Sequence, residues 1–247
     1  MTAPMLKPAL ALALAGALLA LSPAQAARHP AAIGYSRDAE RVLAQARAAA
    51  GGAGWYMLRG WHETGHVGGV PYERWLDPLR FGLRVEVRDP AGMRVEGFNG
   101  QGDWTIPAPG AAPLTGDEAA TARARGEAFF GVYGFFYAAR FDAHGQVLGV
   151  RQAGGRSYDV IEAKPYGGDA RQLWFDRRTH LLARIVDRTG PEPVTVELSD
   201  YRKVGPVRVA FRETVIGAGG PPRVRQIDSL VFAPSDRGLF SLPRTAP

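Results

Sequence analysis

Between residues 156 and 232 the chain reads as six extended segments in succession, and no other feature restricts its fold so tightly. The segments are 156–164, 171–176, 181–187, 194–201, 207–216 and 223–232. They alternate apolar with polar residues or are rich in β-branched and aromatic side chains, as half-buried strands are. Between them stand Gly167-Gly168-Asp169, Asp176-Arg177-Arg178-Thr179, Arg188-Thr189-Gly190-Pro191 and the stretch 217–222, all turn sequences. Connections this short join antiparallel neighbours, because a parallel pair needs a crossover of about a dozen residues. The second half of the chain is therefore expected to be a meander.

The first half adds strands and two helical regions. Phe81, Leu83, Val85 and Val87 alternate with Gly82, Arg84, Glu86 and Arg88, so one face of this strand is apolar. Asp89-Pro90-Ala91-Gly92 turns the chain, residues 93–98 return as the hairpin partner, and 103–106 form a short strand after Asn99-Gly100. Residues 55–66 and 72–77 read as another hairpin about Gly68-Gly69. A helix is expected over 37–50, capped by Ser36 and stopped by Gly51-Gly52. A second helical region starts at Thr115-Gly116-Asp117-Glu118, where Thr115 and Glu118 have capping-box spacing. Gly126, Gly131 and Gly134 divide it into two short pieces. It ends in Phe129, Phe130, Tyr133, Phe135, Phe136 and Tyr137, which must fill a core or line an apolar cavity. The expected class is α+β: a large curved antiparallel sheet of about ten strands, a half-barrel, wrapped around a few helices. Residues 27–247 fit one domain.

The N-terminus reads as a cleavable secretory signal over residues 1–26. Lys7 supplies the positive charge, the stretch from Pro8 to Leu21 is unbroken and apolar, and Ala24-Gln25-Ala26 supplies the small-x-small cleavage pattern. The apolar run is shorter than the ~20 residues that cross a bilayer. The expectation is an exported, soluble chain with no transmembrane segment after cleavage. The chain has no cysteine, which excludes disulfides and thiolate metal sites and leaves no residue to carry a lipoprotein anchor. Without Lys7 the balance is 29 basic against 24 acidic residues. The arginines recur at alternate positions, such as Arg80, Arg84 and Arg88, or Arg208 and Arg212, which suits a solvated strand face. Neither that spacing nor export suits a nucleic-acid partner.

His62-Glu63-Thr64-Gly65-His66 matches the H-E-x-x-H pattern of zinc peptidases. That chemistry needs a helix, which brings the histidines together one turn apart and lets the Glu activate the metal-bound water. Gly65 and the following Val67-Gly68-Gly69-Val70-Pro71 favour a hairpin instead. On a strand the two histidines lie about 13 Å apart, too far for one ion with bonds of about 2 Å. No metal site is expected there.

Two segments are similar to the LolA/LolB-like superfamily of outer-membrane lipoprotein carriers. The first runs from Leu79-Arg80-Phe81 through Glu96-Gly97-Phe98-Asn99-Gly100-Gln101-Gly102-Asp103-Trp104. The second runs from Tyr158-Asp159-Val160-Ile161 through Leu173-Trp174-Phe175-Asp176-Arg177-Arg178-Thr179-His180-Leu181-Leu182 to Asp200-Tyr201. The texture also resembles the domain preceding some exported retroviral-type aspartic peptidases, but the Asp-Thr-Gly or Asp-Ser-Gly of such a peptidase is missing. The carrier resemblance implies a periplasmic, non-enzymatic protein, without a cofactor, engaged in outer-membrane biogenesis. It would hold acyl chains of a lipid or lipoprotein in an apolar cavity between sheet and helices. Candidates for the cavity are Arg80, Phe81, Leu83, Trp104, Phe129, Phe130, Tyr133, Phe136 and Trp174. An arginine of an early strand matters in such carriers; Pro78-Leu79-Arg80-Phe81 partly echoes their RP-x-x-F, so Arg80 or Arg84 takes that position. Two other readings stand beside it: a zinc hydrolase using His62, Glu63 and His66, and an envelope scaffold meeting a protein partner through its sheet edge or basic face.

Overall fold

The computed structural model describes residues 34–217 and 219–243, so the expected signal over 1–26 lies outside the described residues. The described residues fall in one compact unit. The described residues open with β1 (Gly34–Tyr35), α1 (Arg37–Ala49) and a 3₁₀ turn (Gly52–Met57). A meander follows: β2 (Trp61–Val67), β3 (Val70–Leu76), β4 (Gly82–Asp89), β5 (Gly92–Asn99), β6 (Asp103–Ile106) and β7 (Leu114–Thr115). Then come α2 (Glu118–Gly131) and a second 3₁₀ segment (Gly134–Arg140). The second meander is β8 (His144–Ala153), β9 (Arg156–Lys164), β10 (Arg171–Asp176), β11 (Leu182–Asp187), β12 (Val194–Val204), β13 (Val207–Ile216) and β14 (Arg223–Val231), with a last 3₁₀ turn over Arg237–Phe240.

These fourteen strands make one open sheet in the order β1-β8-β9-β10-β11-β12-β13-β14-β2-β3-β4-β5-β6-β7. Both meanders thus lie side by side, and they meet where the last strand, β14, pairs antiparallel with β2, from Arg225↔Val67 to Val231↔His62. All pairings are antiparallel except β1 with β8. Ending on two-residue strands, β1 and β7, blunts both edges of the open sheet.

The helices occupy the concave side. Ser36 caps α1 by accepting the Ala39 N–H at 3.3 Å, as expected, and Ala39, Leu43 and Ala46 turn inward. Gly51 and Gly52 then take left-handed φ of 124° and 59°, which ends the helix. The cap of α2 is not the expected one. Thr115 belongs to β7, and Asp117 accepts the Ala120 N–H at 2.8 Å. The expected division into two helical pieces is present, and the break is Tyr133, at φ 56° and ψ 40°. Gly134 is tied to this corner, because a Cβ there would lie 2.4 Å from the Phe129 ring.

The aromatics of this corner form the core. Trp55 packs on Tyr133 and Phe136 with ring centroids 4.8 and 5.2 Å apart, and Phe135 meets Phe175 of β10 at 6.1 Å. The sheet has more strands than the ten or so expected, chiefly because β1, β7 and β8 carry weak patterns. Gly145 and Gly149 interrupt β8, and a bulge between Val147 and Gly149 shifts its register.

Candidate functional site

Inward-facing side chains change character along each strand. On β4, Leu83 joins the core while Val85 and Val87 line a cavity; on β13, Val209 and Phe211 give way to Glu213 and Val215. On β3 the sequence of inward residues is Leu76, Arg74, Tyr72, and on β14 it is Ile227, Arg225. The opposite wall is α2, through Ala120, Arg123, Ala124 and Glu127. The open space between sheet and helix measures about 760 Å³, inside the range of about 300–1,000 Å³ typical of small-molecule sites.

The cavity is layered. Nearest the hairpin turns, Val67, Val87, Val194 and Val215 form an apolar collar from four strands. Beneath and beside it lies a belt of charges, with Arg225 directly opposite Val67 and Asp187 directly opposite Val194. Glu63, with no exposed surface, receives Trp61 Nε1–H on Oε2 at 2.7 Å and Tyr72 O–H on Oε1 at 3.0 Å. The same Oε1 accepts from Arg225 Nη1 at 2.9 Å and lies 2.9 Å from Arg74 Nε. Arg225 also grips the Glu213 carboxylate, with Nε donating to Oε2 at 3.0 Å. Across the cavity Arg171 donates to Glu127 at 2.7 Å and Asp187 at 3.2 Å, and its guanidinium covers the Phe130 ring at 4.9 Å. Below the belt the aromatic core closes the space.

The protonation states follow from this geometry. Burial favours the neutral form of Glu63, but Arg74 and Arg225, with the Trp61 and Tyr72 donors, outweigh it and hold its carboxyl below the usual range. Arg225 and Arg171 move the other way. Burial opposes their charge, yet Glu213 with Glu63, and Glu127 with Asp187, raise both above the ordinary guanidinium value. Burial, joined by the Glu213 charge, pushes the Tyr133 hydroxyl up to about 12 against the hydrogen bonds with Tyr201 and the Ala210 backbone and the charge of Arg225.

The candidate residues divide by position. Leu83 lines the cavity directly. Trp104 borders it, but its ring packs across Gly97, where a Cβ would lie 2.1 Å from the indole, and Nε1 donates to Phe240 O at 3.0 Å. Phe130 and Tyr133 line a separate void of about 20 Å³ beneath the belt, shared with Arg74. Phe129 and Phe136 are core residues. Phe81 packs on Phe129 and Phe141, at 6.2 and 4.3 Å, with a φ of 65°. Arg80 is half-exposed and pairs with Asp77 at 3.5 Å. Arg84 holds Glu86 at 2.8 Å and stacks over Trp104. Trp174 takes the opposite parity to Leu173 and Phe175, the core residues beside it, and packs on Tyr158 and Arg184 on the other face.

The H-E-x-x-H segment is β2 of the hairpin around Gly68 and Gly69. Strand alternation sends Glu63 into the buried belt and both histidines to the opposite face. There His62 stacks on Trp75 at 4.9 Å and meets Glu73 at 2.7 Å, while His66 meets Asp228 at 2.7 Å. Glu63 therefore cannot activate a water on a metal held by these histidines. No group of three metal-ligating acidic or histidine side chains occurs among the described residues.

An open, mostly antiparallel half-barrel with helices against its concave face is the LolA-like class of fold. No family model and no curated protein sequence matches the chain. Solved structures do share its architecture. A LolA superfamily protein from Nitrosomonas europaea superposes with a TM-score of 0.54 over 82% of this chain and 97% of that one, at 14% identity. A putative outer membrane lipoprotein-sorting protein domain from Vibrio parahaemolyticus gives 0.50, covering 78% and 93%, at 11% identity. A DUF1329 family protein from Desulfovibrio piger gives 0.50, covering 78% and 92%, at 12% identity. At these identities the likeness is one of fold.

Proposed function

We propose that the protein is an exported, non-enzymatic carrier that holds the acyl part of a lipid or lipoprotein between the concave sheet and α2. The observation that carries this reading is the cavity of about 760 Å³ with valines from β2, β4, β12 and β13 around it. Each methylene moved from water into such surroundings contributes about 0.8 kcal/mol. The fold shared with a lipoprotein-sorting domain supports the same reading, as do the export signal read in residues 1–26 and the described helices, none of which is long and apolar enough to cross a membrane. The periplasm is the proposed compartment, and an envelope protein that delivers or receives the cargo is the proposed partner.

Native mass spectrometry of protein purified from its own cell envelope tests this reading. The expected result is a mature chain starting at Ala27, carrying an acyl-containing adduct that organic extraction removes. A chain that retains its first 26 residues, or one with no adduct that also takes up none from lipid vesicles, would overturn it.

A further inference from the structure

The layering of the cavity runs against a ligand that enters by its hydrocarbon end. A chain pushed in tail first would rest its terminal methyl against the buried charges of Arg74, Arg225 and Glu213. Buried charges left against hydrocarbon are costly. Within the belt the partners are unevenly shared. Arg225 and Arg171 each hold two carboxylates. Glu63 is contacted by two arginines, a tryptophan and a tyrosine. Arg74, only 10% exposed along its side chain, has the single charge contact to Glu63 among the described residues. Its Nε–H is buried without a hydrogen-bond partner, since the 2.9 Å approach to Glu63 is not aligned. Arg74, which lines the cavity, thus has one buried N–H, that of Nε, without an aligned acceptor.

We propose that Arg74 is the docking point for the anionic end of a single-chain amphiphile, a carboxylate or an equivalent oxyanion, which lies deepest while its hydrocarbon runs outward along the valine collar. This rests on the carrier reading above and adds to it the class of ligand and its direction. A charge-assisted hydrogen bond contributes about 1.5–3 kcal/mol, roughly tenfold or more in affinity.

The experiment compares dodecanoate with dodecanol by isothermal titration on the full mature protein and on Arg74→Met. The expected result is about a tenfold preference for dodecanoate in the unchanged protein, lost in R74M with dodecanol affinity retained. Should R74M fail to fold, carboxyl-¹³C dodecanoate bound to the unchanged protein gives the same answer. Docked on Arg74, its carboxylate stays ionised well below the pKa of the free ligand; left at the mouth, it titrates like free ligand. Equal binding of both amphiphiles, or a bound carboxylate that titrates freely, would overturn the proposal and leave the carrier reading standing. Binding of neither would overturn the carrier reading itself.

Discussion

Glu63 is the residue on which most of the site's order depends. It ties β2 to β3 through Arg74 and to β14 through Arg225, and it does so without exposed surface. Removing one member of a buried ion cluster costs about 3–5 kcal/mol, because the remaining charges stay buried and uncompensated. Glu63→Gln is therefore expected to lower stability by about 3 kcal/mol in urea titrations at neutral pH. Its carboxyl is held below the ordinary value in the folded state. That contribution is complete above the unfolded carboxyl range of about 4.3 and is lost as pH falls toward the depressed folded value. Acid titration should show the unchanged protein losing stability there, while E63Q starts lower and loses less. Matching acid profiles would remove Glu63 from this account. The residue was legible in the sequence in one sense only. H-E-x-x-H draws attention to a metal, yet the same residues read with period two put Glu63 on the face of Trp61. A charge at a core-parity position is the signal to follow, and Arg74, between Tyr72 and Leu76, carries it too.

At the scale of elements, β12 and α2 face each other across the cavity, Val194 and Val196 on one and Ala120, Ala124 and Glu127 on the other. Val196→Trp would fill that gap from a strand whose alternation already points this side chain inward. It is expected to abolish acyl adducts in native mass spectrometry while the circular dichroism spectrum stays unchanged. Adducts that persist would place the ligand elsewhere. The six-strand meander from β9 to β14 is legible because each strand repeats apolar parity and each turn has its own turn residues. β8 is not legible: Gly145 accommodates the Tyr35 ring, with a Cβ there only 2.7 Å from that ring, and such tertiary closeness leaves no local pattern. The α2 cap illustrates the same limit. Thr115 and Asp117 are both good caps by type, and the pairing of Thr115 with Trp104 in the sheet decides between them. Of the side chains expected to line a cavity, most of the aromatics pack mainly against one another, while valines and arginines line much of the space between sheet and α2.

At the scale of the molecule, the two meanders are joined through the pairing of β14 with β2. Glu63–Arg225 crosses that seam on the cavity side and His66–Asp228 on the other. A chain ending at residue 222 lacks β14 and every contact across the seam. It is expected to lose cooperative thermal unfolding altogether, measured by calorimetry, rather than to melt as two smaller units. A retained cooperative transition would show that one meander is stable without the other. The seam also has a bearing on how the protein is made. The partner of β2 appears long after it when the chain emerges N-terminus first from a ribosome. Pairing across so long a separation is slow, because the intervening chain must be ordered first. Until residue 231 is out, β2 keeps a bare edge and the buried acid of the belt lacks one of its arginines. Strand order thus acts as a check on completeness: an interrupted product cannot close its sheet, and so presents itself to proteases and chaperones as unfinished.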